Sequence, residues 1–457
     1  MPTLLVRNAT VIATMDAGRR ELASASLHAA DGVITAIGDE ATLPRTADTV
    51  IDASGCVVLP GLVNTHHHLF QTLTRAVPAA QDASLFPWLK ALYPIWARMD
   101  ARHIHSSALI GLAELALSGC TTTSDHLYLF PNGARIDDEI AAAREIGLRF
   151  TATRGAMSIG ESAGGLPPDG LVEKEDAILR DCERAIATFH DPARHAMVQI
   201  ALAPCSPFSV SRELMRDAAL LARHHRVRLH THLAENDDDV AYSLERFGVR
   251  PGRYAEDLGW TGPDVWHAHC VKLDGGEIDL FAGTQTAVAH CPCSNMRLAS
   301  GIAPVADMLR AGVTVGLGVD GSASNDAADL LSEARQAMLL QRLRSGAGAM
   351  SARRALELAT RGGARALGRD DIGMLAPGMS ADLAIYDLGD VRMAGAAEWD
   401  PVAALLFTGP HRARDTIVAG RAIVRDGRIT TIDLRSALAR QSTLASALMR
   451  NERTSIA

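Results

Sequence analysis

Histidines gather in this chain where apolar runs end. His66, His67 and His68 follow one another in PGLVNTHHHLFQ, His232 and Glu235 close VRLHTHLAE, His269 closes DVWHAHC, and Asp320 closes VTVGLGVDGS. Successive side chains on an extended strand point to opposite faces, so His66 and His68 share one face and His67 turns away. Three imidazoles and a carboxylate with room for water suit Zn2+ as a catalytic ion, which brings the pKa of a bound water towards neutrality. A nearby carboxylate that is not a ligand can then shuttle the proton. A lone histidine at a strand end is more often structural. Here His66, His68, His232, His269 and Asp320 all fall at the same end of their runs, which argues against that reading.

Such residues need elements that bring them together. Between residues 60 and 367, apolar β-branched runs alternate with amphipathic stretches of helical period. The runs include GCTTTSDHLYL, LRFTATRGAM, MVQIALAPCS and TAVAHCPCS, and the helical stretches include SRELMRDAALLARHH and AADLLSEARQAMLLQRL. Eight such units predict a parallel (β/α)8 TIM barrel, in which chemistry gathers at the C-terminal ends of the strands. A doubly wound sheet would require a Gly-rich phosphate loop, and none is present. Residues 1–59 and 368–457 have a different texture, short strands punctuated by Gly and Asp. They predict one small β-sandwich built from both ends of the chain, closed by a terminal helix. Split into two modules, each half would lack a sufficient core.

Of the 457 residues, 47% are apolar and 21% charged, the profile of a globular enzyme, and the net charge of −8 without a basic run excludes a nucleic-acid footprint. No run reaches the length of a membrane span, and the N-terminal stretch lacks signal-peptide order, so no membrane partner is expected. The seven scattered cysteines are expected as reduced thiols in a cytoplasmic protein. Cys291 and Cys293 lack the further pair a structural zinc site needs and are read as small pocket or packing residues.

Together PGLVNTHHH, HTHLAE, HAHCV, GVDGSASND and IGMLAPGMSADLAIYDL resemble the amidohydrolase superfamily over nearly the whole chain. Within it the chain is similar to the mononuclear deaminase branch, and MVQIALAPCS lacks the lysine that bridges two metals in binuclear relatives. The resemblance implies His66, His68, His232 and Asp320 as metal ligands, Glu235 as proton shuttle, and His269 as holder of the attacking water. Asp320 would also serve the departing amine. It implies one Zn2+ per subunit, although these donors also accept Fe2+ or Mn2+. It further implies a homo-oligomer acting on a small heterocyclic base: an oxidised purine, or alternatively another purine, pterin or triazine-like ring.

Four residues are expected to meet that base. Gln71, three residues after His68, has the spacing with which guanine deaminases of the branch meet a purine edge, and an amide both donates and accepts. Trp88 would supply a flat apolar wall. His126, at the end of the second strand, would line the pocket. Cys205 stands near where guanine deaminases carry an arginine, a departure that argues against plain guanine.

Overall fold

The computed structural model describes residues 2–451; residue 1 and residues 452–457, the tail of the expected C-terminal segment, lie outside the described residues. Eight parallel strands close into a barrel: Leu62–Asn64, Cys120–Leu127, Arg149–Ala156, Val198–Pro204, Arg228–Leu233, Val265–His269, Ala287–His290 and Val315–Leu317. Each is paired in parallel with its neighbours, and the eighth returns to the first. Alternation decides what each strand contributes. Ile200, Leu202, Leu229 and Val288 point outward into the core shared with the helices, whereas Val63, Ala201, Trp266, Ala287 and Ala289 fill the barrel interior. Interiors of such barrels are packed in layers rather than open, and here small alanines make room around one indole.

The outer helices follow from their sequence pattern. In Arg212–His225 the buried residues Leu214, Met215, Ala218, Ala219 and Ala222 fall on one stripe. Ser211 caps its start by accepting from the Leu214 N–H at 2.9 Å, a bond worth about 1 kcal/mol.

The two ends of the chain form one nine-stranded sheet, and this is the shape the expected sandwich takes. Thr3–Ala13 lies within it, antiparallel to Glu21–Ala30 and parallel to both Thr49–Asp52 and Cys56–Pro60. Cys56–Pro60 in turn pairs antiparallel with Leu383–Asp387, joining the N-terminal to the C-terminal strands. Those two central strands are covered on both faces. Val58, Leu383 and Ile385 pack inside the sheet with Val6, Ile12, Leu27 and Ile417, while Val57, Leu59, Ala384 and Tyr386 pack against the barrel. That double burial explains why their sequences read as apolar runs without alternation.

A buried ion pair ties the two layers. The Arg149 guanidinium, at the start of the third barrel strand, donates to both oxygens of Asp382, at 2.6 and 3.1 Å, and neither side chain meets solvent. Asp382 Oδ1 also accepts from the Ala419 N–H at 2.8 Å. No helix among the described residues is long and apolar enough to cross a membrane.

Candidate active site

The first barrel strand stops at Asn64 rather than running through the histidines. Beyond the barrel, His67–His68 pairs in parallel with Asp320–Gly321, a two-residue ladder between extensions of the first and eighth strands. His66 lies between the two pieces, and its carbonyl accepts from the Asp320 N–H at 3.1 Å. The chain needs glycine here, because a Cβ on Gly318 would stand 2.7 Å from His66 Cβ and 2.9 Å from Cys291 Sγ. Cys291 is therefore packing beneath the site. His67 points away, as alternation requires, towards Gly111 in the helix Ala101–Leu117.

Hydrogen bonds to backbone carbonyls fix the tautomers of two histidines. His68 Nδ1 is 2.7 Å from the His126 carbonyl, and His232 Nδ1 is 2.5 Å from the Cys205 carbonyl. A carbonyl can only accept, so both Nδ1 atoms carry the proton and both Nε2 atoms are bare. Those bare atoms face each other at 3.0 Å. His66 Nδ1 is 2.8 Å from His230 Nε2, and its own Nε2 is buried without a hydrogen-bond partner. Asp320 Oδ1 stands 3.3 Å from both His66 Nε2 and His68 Nε2. Burial lowers the pKa of His66 and of His68 and takes His232 down to about 3, so all three rings are neutral donors. Four ligand atoms about 2.0–2.2 Å from one ion in a tetrahedron stand about 3.3–3.6 Å apart. The spacing, the bare lone pairs and the orphaned His66 Nε2 all fit a divalent metal.

Glu235 and His269 stand beside this set. His269 Nδ1 donates to Asn295 Oδ1 at 2.9 Å, which leaves Nε2 3.6 Å from Glu235 Oε2 and 3.8 Å from Asp320 Oδ2. Burial pushes His269 down, but the Glu235 and Asp320 carboxylates outweigh it, and the net shift is upward. Burial raises the Glu235 carboxyl to about 7 against the pull of His269. Ala234, His269, Cys270 and Asp320 all have left-handed backbones, with φ of 51°, 68°, 51° and 59°. Non-glycine residues adopt that region at a cost, and such strain concentrates where side chains are aimed for function.

A cavity opens over these groups. His68, His232, Glu235, His269 and Asp320 form its floor. Its walls are Leu85, Trp88, Leu89 and Tyr93 from the helix Leu85–Trp96, with Tyr128, Phe208 and Leu298 opposite. No lysine or arginine lines it among the described residues.

The amidohydrolase family model matches residues 57–423. The chain belongs to the amidohydrolase family. This amidohydrolase is 52% identical to the 8-oxoguanine deaminase of Pseudomonas aeruginosa over 87% of its own length and 89% of that protein's. It is 40% identical to an isoxanthopterin deaminase from an unknown prokaryotic organism, over 95% of each chain. Among solved structures it resembles the zinc complex of atrazine chlorohydrolase from Arthrobacter aurescens TC1, with a TM-score of 0.92 at 35% identity over 97% of this chain and 100% of that one. It is therefore a hydrolase of the carbon–nitrogen type whose donors suit a divalent metal.

In this amidohydrolase three of the four expected base-contacting residues line the cavity. Gln71 is buried on the short 3-10 helix Leu69–Thr74 rather than facing solvent, and its Oε1 accepts from the Ala323 N–H at 3.2 Å. Gly321 permits this, since a Cβ there would fall 1.9 Å from Gln71 Oε1. Trp88 forms a wall and donates from Nε1 to the Ala323 carbonyl at 3.0 Å. Cys205 presents a thiol that burial pushes up to about 12, hence neutral. The expectation for His126 is corrected. Its ring is fully buried behind the cavity, with Nε2 donating to the Ala203 carbonyl at 2.8 Å, and its backbone carbonyl is what serves His68. Cys293 is likewise no pocket residue, and its N–H donates to Glu333 at 3.1 Å.

Sequence reasoning missed His230, Asn295, Tyr128 and Ser324. His230 was within reach, because HTH repeats the i, i+2 spacing that singled out His66 and His68. Asn295 lies on the short helix Pro292–Arg297 after the seventh strand, and no strand pattern marks it.

The raised Glu235 pKa carries a stability signature in the metal-free protein. Folded Glu235 holds its proton up to about pH 7, whereas an ordinary glutamate releases it near 4.5. Its contribution is thus full below the lower value and is lost as pH rises through the higher one. Glu235→Gln is expected to flatten that part of the pH–stability curve, measured as urea midpoints of the metal-free protein. Parallel curves for parent and variant would contradict it.

Proposed function

We propose that this amidohydrolase is a hydrolytic deaminase converting 8-oxoguanine and water to urate and ammonia. One zinc would be held by His66, His68, His232 and Asp320. When bound, such an ion supplies Lewis acidity and lowers the pKa of water to near 7. The observation that carries the reading is the convergence of Glu235 and His269 on the edge of that donor set, 3.6 Å from each other, at the floor of the cavity.

The chain's own groups divide the proton work. His269, fixed through Asn295, aims Nε2 at the incoming oxygen and holds it over C2 of the base. Glu235 takes a proton from that oxygen and delivers it to the adjacent ring nitrogen as the tetrahedral carbon forms. Without the ion, burial holds that carboxyl up to about 7, so it is a group that can both take and release a proton. Asp320 keeps a second oxygen, Oδ2, turned towards Ser324 at 3.2 Å and His269 at 3.8 Å. Through it the remaining proton passes to the amine, which leaves as ammonia.

The walls favour a neutral free base. Without a lysine or arginine, the cavity offers nothing to a phosphorylated nucleotide. Gln71 is oriented by Ala323 and can meet alternating N–H and C=O groups, while Trp88 and Tyr128 offer flat surfaces. Neutral Cys205 and the likeness to 8-oxoguanine deaminase support an oxidised purine over guanine. Isoxanthopterin, favoured by the second likeness, is the alternative ring. Zinc-loaded protein incubated with 8-oxoguanine, guanine, isoxanthopterin, cytosine and hydroxylated triazines should release ammonia fastest, by kcat/KM, from 8-oxoguanine. Preference for any other compound would overturn the substrate and leave the proton chemistry standing.

A further inference from the structure

His230 touches neither the cavity nor the proposed ion, and the role argued for it rests on the metal reading above. His230 lies two residues before His232 on the fifth barrel strand, on the same interior face but one layer deeper. Its ring stacks on Trp266, centroids 4.5 Å apart and planes 19° from parallel. His230 Nδ1 is 2.8 Å from the Trp266 carbonyl, so that nitrogen carries the proton. The ring is completely buried and no carboxylate bonds to it, so it is held neutral, and Nε2 can only accept. The proton between His230 Nε2 and His66 Nδ1, 2.8 Å apart, therefore belongs to His66.

We propose that His230 is a positioning residue that fixes His66 in the Nδ1–H tautomer and so keeps His66 Nε2 bare for the metal. Trp266 completes the device. Its Nε1 donates to the Thr65 carbonyl at 3.0 Å, holding the backbone just before His66 while its own carbonyl holds His230. His68 and His232 have their tautomers set by backbone carbonyls, which no substitution removes. His66 alone depends on a side chain. Partners of this kind on ligand histidines are worth about ten- to a hundredfold in metal affinity.

The test compares His230→Phe, which keeps a ring against Trp266 but offers no acceptor, with His230→Gln, whose side-chain carbonyl can reach His66 Nδ1. Zinc affinity is read by competition with a chromophoric chelator, and the thermal midpoint is read on the metal-free protein. H230F should bind zinc about ten- to a hundredfold more weakly, with H230Q recovering most of the loss. A purely structural role would lower the metal-free midpoint while sparing affinity, and H230F binding zinc as tightly as the parent would overturn the proposal. Should H230F fail to fold, long-range proton–nitrogen spectra of the histidine-labelled, metal-free parent decide instead. A proton on His66 Nδ1 supports the assignment, and one on Nε2 overturns it. A parent protein with no zinc affinity would overturn the metal reading itself, and the same spectra would still decide the role of His230.

Discussion

Glu235→Gln is expected to retain fold and metal while turnover falls about a hundredfold to ten-thousandfold, the range general acid–base groups supply. The substitution preserves size and removes the one property at issue, the capacity to take up and release a proton. Glu235 suits the task because burial brings its pKa to about 7, while its backbone N–H is anchored on Asp239 Oδ2 at 3.0 Å. It lies outside the His66, His68, His232 and Asp320 donor set, so metal content should match the parent's. Elemental analysis of the purified variant, alongside kcat, checks both halves. A variant that turns over near the parent rate would remove Glu235 from the mechanism. One that loses its metal would make it a ligand.

Arg149→Met is expected to destabilise the protein by about 3–5 kcal/mol, because it strands a buried carboxylate. Asp382 would keep only its bond from the Ala419 N–H. Arg149 also donates to the His195 carbonyl at 2.5 Å and the Ala196 carbonyl at 3.2 Å, so these lose a partner as well. The pair sits at the N-terminal end of the barrel, opposite the cavity, so kcat of the folded variant should stay near that of the parent. Urea midpoints measure the first effect and steady-state kinetics the second. Adding Asp382→Leu should recover part of the loss but not all of it, since Ala419 would then be left without its acceptor. An unchanged midpoint in the single variant would mean that solvent reaches Asp382.

Much of the site could be read from the chain because one rule, alternation on strands, governs both burial and direction. It separated His66 and His68 from His67, and it placed His232 and Asp320 at the same end as His269. The rule was insufficient at His126 and beyond the ends of the strands. His126 belongs to a strand that is buried throughout, so its position at the strand's end did not put its ring in the cavity. Gln71 entered the cavity through a 3-10 helix whose orientation no periodicity records. Asn295 and Tyr93 arrive on helices packed over the barrel mouth, where tertiary contacts alone decide what faces inward. The sheet was legible as strands, but its order was not, because Cys56–Pro60 pairs with a strand more than three hundred residues away.

The ladder joining His67–His68 to Asp320–Gly321 bears on how the barrel is closed. The eighth strand meets the first through a single register pair, Leu317 with Asn64, making this the thinnest seam in the ring. Thr65 Oγ1 donates to the Leu317 carbonyl across it, 252 residues away in the chain, so among the barrel's strand pairings this is the last a growing polypeptide can make. His66 and His68 stand on one side of it and Asp320 on the other. An ion gripping all three would act as a clasp, and ribosomal synthesis must pass the eighth strand before there is anything to fasten. A chain truncated before the eighth strand could neither close the barrel nor present Asp320 to such an ion.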